Sequence, residues 1–97
     1  MVALMEITKE NWFQSTQLRV TEEQRELFTA PVVYWLAESK YETHFNPLAI
    51  YFKDIMVGFA IYTVNESGVG EIEAIMIDQN HQGRGYGRSA MMALINL

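Results

Sequence analysis

The stretch EIEAIMIDQNHQGRGYGRS, residues 71–89, joins an apolar segment to a turn in which glycine alternates at positions 83, 85 and 87. Glycine adopts positive φ without strain and carries no Cβ that would keep a ligand away from the backbone. Successive N–H groups of such a turn can therefore converge on a phosphate group at the positive end of a following helix. The stretch predicts a strand, a pyrophosphate-binding turn and a helix, in that order.

The spacing of the glycines distinguishes this turn from two other phosphate-binding loops. Read from Gly83, a dinucleotide-binding G-x-G-x-x-G would need glycine where Arg88 stands, and a P-loop would need Gly-Lys-Ser/Thr after a longer loop. The chain instead matches Q-x-x-G-x-G through Gln82, Gly85 and Gly87. After an apolar strand, this pattern resembles the acetyl-CoA loop of the GNAT N-acetyltransferases. A glycine-rich structural turn without a ligand is the alternative interpretation.

Four further phrases carry the resemblance along the chain: KENW at 9–12, VTEEQ at 20–24, PLAIY at 47–51 and MVGF at 56–59. They are similar to the bacterial spermine/spermidine (diamine) acetyltransferase branch of this family. The resemblance implies the GNAT fold, an α/β (α+β) domain with flanking helices on a mixed, mostly antiparallel sheet. It also implies a single domain over residues 1–97 that holds the N-terminal two-thirds of that fold and is incomplete at its C-terminus. The general acid of the family, a tyrosine, is then expected beyond Leu97.

The first part of the chain predicts one strand and two short helices. Residues 2–7 alternate well enough for a strand, and Thr8 is expected to be the N-cap of a helix over residues 9–17. Residues 21–24, TEEQ, form a capping box in which the threonine hydroxyl serves one backbone group and the glutamine reaches back to another. This box is expected to open a second helix that ends near residue 28.

The remainder predicts a third helix, a hairpin, a fourth strand and a final helix. Residues 32–40 follow a proline that suits a first helical turn. The side chains of this helix expected to face the core are Val33, Leu36 and Ala37. Residues 48–53 and 56–64 are rich in β-branched and aromatic side chains and read as an antiparallel hairpin. A fourth strand is predicted over residues 70–77, and a last helix starts near Gly87.

Composition and charge limit the possible functions. The chain has 97 residues, of which 49% are hydrophobic, and a formal net charge of −5. It contains no cysteine, so no disulfide or thiolate metal site is predicted, and no metal is expected. No apolar run reaches the ~18 residues of a membrane span and no signal-peptide pattern is present, so a cytoplasmic protein without a membrane partner is expected. The negative charge argues against nucleic acid and favours cationic ligands.

The resemblance also implies which residues bind acetyl-CoA. The backbone of Ile75, Met76 and Ile77 is expected to pair with the pantetheine amides like an added strand. The pyrophosphate is expected to lie against backbone N–H groups of Gln82, Gly83, Arg84, Gly85, Tyr86, Gly87 and Arg88. The side chains of Arg84 and Arg88 are either charge partners of the phosphates, including a 3′-phosphate, or merely solvated. Ser89 is expected to donate one more hydrogen bond or to cap the helix.

Acetyl transfer requires a neutral amine, because an alkylammonium with a pKa near ~10 has no lone pair for attack. Glu73 matches the position at which polyamine acetyltransferases of this superfamily carry an acidic residue. It is therefore expected to act as a base through water, or as the carboxylate that holds the ammonium. The alternative is that Glu73 lies on a solvated strand face beside Glu71, paired with a surface lysine.

The expected function is transfer of acetyl from acetyl-CoA to a primary amine of a small cationic acceptor, a polyamine such as spermidine or spermine, by direct attack in a ternary complex. A protein N-terminus, a lysine and an aminoglycoside are alternative acceptors, and a non-catalytic CoA-binding remnant is an alternative class. The acidic residues that either hold a polyamine or form a solvated face are Glu22, Glu23, Glu26, Glu38 and Glu42. An open edge on the fourth strand and an apolar last helix predict a homodimer or higher homo-oligomer.

Overall fold

The computed structural model of the chain describes residues 1–26 and 28–96. The described residues form an antiparallel sheet with helices on both faces. Its strands are β1 Ala3–Glu6, β2 Phe45–Phe52, β3 Ile55–Val64 and β4 Gly70–Ile77, and its helices are α1 Trp12–Ser15, α2 Val32–Tyr41 and α3 Tyr86–Ile95. A single 3₁₀ turn, Gln79–His81, lies between β4 and α3.

The four strands lie side by side in chain order, and each neighbouring pair is antiparallel. This confirms the predicted arrangement of mostly antiparallel strands with flanking helices. The part of the sheet that the structure describes contains no parallel pair. In this sheet β1 and β4 are the outer strands, so one side of β4 is open, as the sequence predicted.

The core consists of two apolar clusters, one on each face of the sheet. The first lies under α2 and includes Phe28, Val32, Phe59 and Met76. The second lies under α3 and includes Ile50, Val57, Ala60, Ile77, Ala90 and Leu94. Residues 56–61 of β3 are buried on both faces, because this strand is central and helices cover both sides of it.

The strands match their prediction better than the first helices do. The fourth strand has the predicted bounds, residues 70–77. The hairpin turns at Lys53, whose φ of 56° suits a two-residue connection between antiparallel strands. The predicted helix over residues 9–17 is wrong in length, since only Trp12–Ser15 is α-helical.

Thr8 is not the N-cap of α1, because Asn11 occupies that position. The Asn11 amide is used locally: its oxygen accepts from the Thr8 N–H (2.7 Å), and its nitrogen donates to the Glu6 carbonyl (3.0 Å). At the other end, the Ser15 hydroxyl donates to the Trp12 carbonyl (2.6 Å), and the Thr16 hydroxyl donates to the Phe13 carbonyl (2.6 Å). Side chains that bond to nearby backbone compete with helix propagation, which accounts for the short α1.

The predicted helix over residues 21–28 is replaced by turns over residues 22–26, and Leu27 lies outside the described residues. Half of the capping box is present, since the Thr21 hydroxyl accepts from the Gln24 N–H (3.3 Å). The Gln24 side chain does not reach back to Thr21. It bonds to Gln82 instead, 58 residues away, so a tertiary contact takes the group that a helix start would have used.

Helix α2 forms where predicted but presents a different face to the core. Val33 and Ala37 are exposed, contrary to prediction, and Leu36 is partly buried as part of the inward face. Val32 is 2% exposed, and the Trp35 ring packs against the core at 6.0 Å from the Phe28 ring. The side chains beneath α2 therefore determine that the helix face with Val32 and Trp35 packs inward.

Gly58 on β3 has no room for a side chain. A Cβ there would overlap the Met76 carbonyl oxygen and lie 2.9 Å from Cδ1 of Ile77, both on β4. We expect Gly58→Ala to lower the free energy of unfolding by roughly 2 kcal/mol, because the backbone of a central strand pair must move. Urea denaturation measures the change.

Gly87→Ala is the matched control, since a Cβ at Gly87 would meet Cγ1 of Ile77 at an ordinary 3.6 Å. Its stability should stay unchanged or rise slightly, because alanine is the better helix former. Equal destabilisation by the two variants would contradict the close approach at Gly58.

Candidate functional site

The predicted pyrophosphate turn lies between the end of β4 and the start of α3. Gly83 has a φ of 77° and Gly85 a φ of 78°, both in the left-handed region that favours glycine. Gly85 is the N-cap residue of α3, and open space surrounds the position of a Cβ at either glycine. Gly87 is different, since it lies in the first turn of α3 and its φ is not positive. The prediction of positive φ is therefore wrong for Gly87, where a Cβ would contact Ile77.

The backbone N–H groups of residues 82–88 donate to no other residue that the structure describes. The first hydrogen bond at this end of the helix runs from the Ser89 N–H to the Gly85 carbonyl (3.1 Å). Helix α3 thus begins with a run of unused donors at its positive end, on an exposed turn. An anion can satisfy such donors and is favoured by the helix dipole.

The side chain of Gln82 braces this turn from inside the protein. Its amide nitrogen donates to the Ile77 carbonyl and to the Gln24 side-chain oxygen (3.0 Å), and its oxygen accepts from the Gln24 amide (3.2 Å). Both N–H groups of the amide are therefore used by the protein, and only the backbone N–H of Gln82 remains for a ligand. Sequence reasoning missed Gln24 as the partner, because no local signal marks it.

Asp78 is a second residue that sequence reasoning missed. It is 7% exposed, and its two carboxylate oxygens accept from the Arg19 N–H (2.8 Å) and the Asn80 N–H (3.2 Å). The Gln79 N–H also donates to the Arg19 carbonyl (2.7 Å). Together these bonds fasten the segment after α1 to the end of β4. An aspartate directly after an apolar strand, at the cap of the next turn, is the signal that would have indicated it.

Strand β4 contains an irregularity at Glu73. Ala74 pairs with Ile61 and Ile72 pairs with Tyr62, so Glu73 has no partner on β3. This is a β-bulge, which locally re-aims a side chain. Glu73 is exposed and makes no ion pair or side-chain hydrogen bond with a described residue. The lysine partner of the alternative interpretation is therefore not seen, although the exposure fits that interpretation as well.

The three residues predicted to line the pantetheine follow this bulge. Met76 is buried on the α2 side, and Ile75 and Ile77 pack on the α3 side. The described strands leave the outer edge of β4 unpaired. An extended chain with amide groups can add to such an edge.

The remaining predicted site residues differ in their surroundings. Arg84 and Arg88 are exposed, and neither forms an ion pair with a described residue. The Tyr86 ring lies against Phe52 with 4.9 Å between ring centroids. Ser89 does not cap α3, because Gly85 does, and its Oγ accepts from the Val2 N–H (3.1 Å). The hydroxyl of Ser89 thereby ties the start of β1 to α3 and keeps its own hydrogen for one further bond.

The acidic residues predicted to hold a cationic acceptor are spread over the surface. Three of them are exposed before α2: Glu22, Glu23 and Glu26. The hydrogen bond from the Tyr34 hydroxyl to Glu38 (2.9 Å), together with the charge of that carboxylate, raises the pKa of Tyr34. Glu42 lies 3.9 Å from Nδ1 of His44. Within residues 1–26 and 28–96, no three acidic, histidine or cysteine side chains are grouped as a metal site would need.

No helix among the described residues is both long and apolar enough to cross a membrane.

Comparison with known proteins places these features in a family. The chain is 27% identical over 96 residues to the spermine/spermidine N(1)-acetyltransferase of Bacillus subtilis (strain 168). The matched region covers 92% of this chain and 62% of that relative's length. Two solved structures share its fold over 99% of the chain at 16% identity. They are a ribosomal-protein-alanine N-acetyltransferase from Brucella melitensis (70% of that chain, TM-score 0.68) and AAC(6′)-Iy in complex with a CoA-S-monomethyl-acetylneamine bisubstrate analogue (70%, TM-score 0.65). The family model for the acetyltransferase (GNAT) family matches residues 1–97, and the chain therefore belongs to that family.

Proposed function

We propose that the chain supplies the cofactor-binding part of an N-acetyltransferase that moves acetyl from acetyl-CoA to a primary amine. The observation that carries the proposal is the run of unused N–H groups over residues 82–88, at the positive end of α3. A pyrophosphate is the kind of group that such a turn binds. Membership of the GNAT family supports acetyl-CoA as the molecule that brings it.

Acetyl-CoA fits the residues of the turn in shape and charge. Gly83 and Gly85 leave the backbone uncovered, so phosphate oxygens can approach the N–H groups closely. Arg84 and Arg88 are exposed cations within the same turn and its helix. Charge-assisted hydrogen bonds from guanidinium groups to phosphate are among the stronger polar contacts, so these side chains add affinity to what the backbone supplies.

We propose that the pantetheine arm lies along the outer edge of β4, against the backbone of Ile75, Met76 and Ile77. The support is that this edge is unpaired among the described strands and leads directly into the turn. The side chains of these residues are committed to the core, so the backbone is the part they offer.

The proposed role of Glu73 follows from its place at the bulge. Its exposed carboxylate, without a cation beside it, is available either to take a proton from the amine through water or to hold the ammonium. The neutral amine then attacks the thioester carbon, the carbon–sulfur bond breaks, and the thiolate of CoA leaves. The nitrogen loses a second proton as the amide forms, and the thiolate gains a proton to become the thiol of CoA. The two roles of Glu73 differ in which kinetic constant they affect.

The proposed acceptor is a small cationic amine of the polyamine class. The net charge of −5, the exposed glutamates and the 27% identity to a spermine/spermidine N(1)-acetyltransferase support it. The structural relatives named for a ribosomal protein alanine and for a neamine analogue suggest the competing acceptors. The three acceptors are compared by measuring the release of CoA thiol with spermidine, with a peptide that has an N-terminal alanine and with an aminoglycoside. Turnover with only the peptide and the aminoglycoside would exclude the polyamine.

The single domain over residues 1–97, the cytoplasmic location and the homo-oligomer also remain proposals. For association, the support is the exposed apolar residues of α3, among them Met92 and Ile95. Sedimentation analysis tests it.

Gly85→Ala tests the cofactor turn. The variant places a Cβ where the ligand would lie and penalises a φ of 78°. We expect the Kd for CoA, measured by calorimetry, to rise at least about tenfold. Gly87→Ala is the control and should stay within about threefold, because that residue is helical and its N–H is kept. A folded Gly85→Ala with undiminished affinity would exclude the proposed site.

Variants of Gln82 and Gln24 test whether the Gln82 side chain supports CoA binding by holding the turn in place rather than by contacting CoA. Gln82→Leu loses the bonds to Ile77 and Gln24, whereas Gln24→Leu loses only the pair between the two glutamines. We expect the Kd for CoA to rise about tenfold in Gln82→Leu and about threefold in Gln24→Leu, since the loop is less well preorganised. The reverse order would contradict the bracing role.

Glu73→Gln, made in a full-length version that also contains the C-terminal part of the family's domain, tests the acetyl-transfer step. If Glu73 acts as a base, the Glu73→Gln variant should have a kcat about a hundredfold lower, while its affinity for CoA is unchanged. The defect should ease as pH rises, because more of the amine is already neutral. As an ammonium anchor, its loss should raise the KM for the amine instead. Glu71→Gln, on the same strand and also exposed, is the matched control, and an equal loss in both variants would remove Glu73 from the mechanism.

A further inference from the structure

A cavity of about 320 Å³ opens between the segment that follows α1 and the start of α2. Met76 of β4 contributes to its lining, and Arg19 and Arg25 contribute the charged groups. No carboxylate lines it within the residues described. The cavity therefore combines an apolar part with two guanidinium groups of like sign.

These two arginines have no ionic partner among the described residues. Arg19 is held at the rim, because its Nη1 donates to the carbonyls of Thr16 (2.7 Å) and Leu18 (3.0 Å). The Arg25 side chain makes no hydrogen bond to a residue that the structure describes. Two cations that share a cavity without a counterion favour an anionic ligand.

The position of the cavity relative to the pyrophosphate turn is fixed by hydrogen bonds. The backbone of Arg19 is bound to Asp78 and Gln79, and Gln24, which precedes Arg25, is bound to Gln82. The chain has four arginines, at 19, 25, 84 and 88, and all of them belong to the segments that meet here. The exposed Glu22, Glu23 and Glu26 lie in the same segment as Arg25 but are not among the residues that line the cavity, so the charged groups that a ligand inside it would meet are the two guanidinium groups.

We propose that this cavity is a binding site for a phosphate or carboxylate group, held by Arg25 with Arg19. A polyamine is not its ligand, because ammonium and guanidinium groups repel each other. The site is therefore additional to the proposed amine site at Glu73. Its anion is either the 3′-phosphate of the cofactor, a group separate from the pyrophosphate that the turn is proposed to hold, or an acidic group of a second ligand.

Arg25→Gln tests the site, because the Arg25 side chain is exposed and makes no hydrogen bond to a described residue, whereas the Arg19 side chain bonds to the carbonyls of Thr16 and Leu18. Inorganic phosphate is the probe, followed by residue-specific amide chemical shifts. We expect wild-type shifts at the lining segments, residues 16–20 and 29–33, and at least about tenfold weaker binding there in Arg25→Gln. Arg25→Lys should recover part of the affinity, because it keeps the charge but not the planar fork.

Lys40→Gln is the matched control, since it removes the same formal charge from the last turn of α2, whereas the cavity lies at the first turn of that helix, and it should leave phosphate binding at the cavity unchanged. Equal weakening by Arg25→Gln and Lys40→Gln would overturn the proposal, because it would reflect net charge alone. Shifts confined to residues 82–88 would also overturn it, because phosphate would then bind only the turn.

Calorimetry with CoA and dephospho-CoA distinguishes the two sources of the anion. A wild-type preference for CoA that disappears in Arg25→Gln assigns the site to the 3′-phosphate. Unchanged affinities for both, with cavity binding of phosphate lost in Arg25→Gln, assign it to a second ligand. Absence of any CoA binding would contradict the proposed function and leave the phosphate titration as a separate test of the cavity.

Discussion

Asp78 joins three parts of the chain that are far apart in sequence. Its buried carboxylate accepts hydrogen bonds from the backbone N–H of Arg19, in the segment after α1, and from that of Asn80, in the 3₁₀ turn. The backbone N–H of Asp78 donates to the carbonyl of Val57 on β3 (2.8 Å). A buried carboxylate is costly unless such donors satisfy it, so these bonds hold the end of β4 in one arrangement. The turn of residues 82–88 and the arginine-lined cavity both depend on that arrangement.

The turn can present free donors because its polar side chain is satisfied elsewhere. Gln82 directs its amide inward to Ile77 and Gln24, and the second apolar cluster holds α3 against the sheet through Ala90 and Leu94. The first turn of α3 is therefore held from below while its N–H groups stay exposed. A rigid support beneath unused donors is the preorganisation that anion binding needs.

Net charge and local charge point to different ligands in this protein. The value of −5 supports a cationic acceptor, and the exposed Glu73 at the bulge of β4 is where such an acceptor is proposed to meet the acetyl group. In the cavity beside the end of β4, however, the charged lining residues that the structure describes are Arg19 and Arg25. The two regions are proposed to serve different groups, an amine at the strand and anions beside the turn.

The sequence by itself determined the elements that rest on local pattern. The strand of residues 70–77, the hairpin around Lys53 and the glycine turn were all predicted, because alternation, turn residues and glycine spacing act over a few positions. What the sequence did not show were the short α1, the inward face of α2, the bulge at Glu73 and the pairing of Gln24 with Gln82. Only the tertiary structure decided these, because each depends on a partner brought close by folding: the two glutamines, 58 residues apart, meet only when the segment after α1 is fastened to the end of β4.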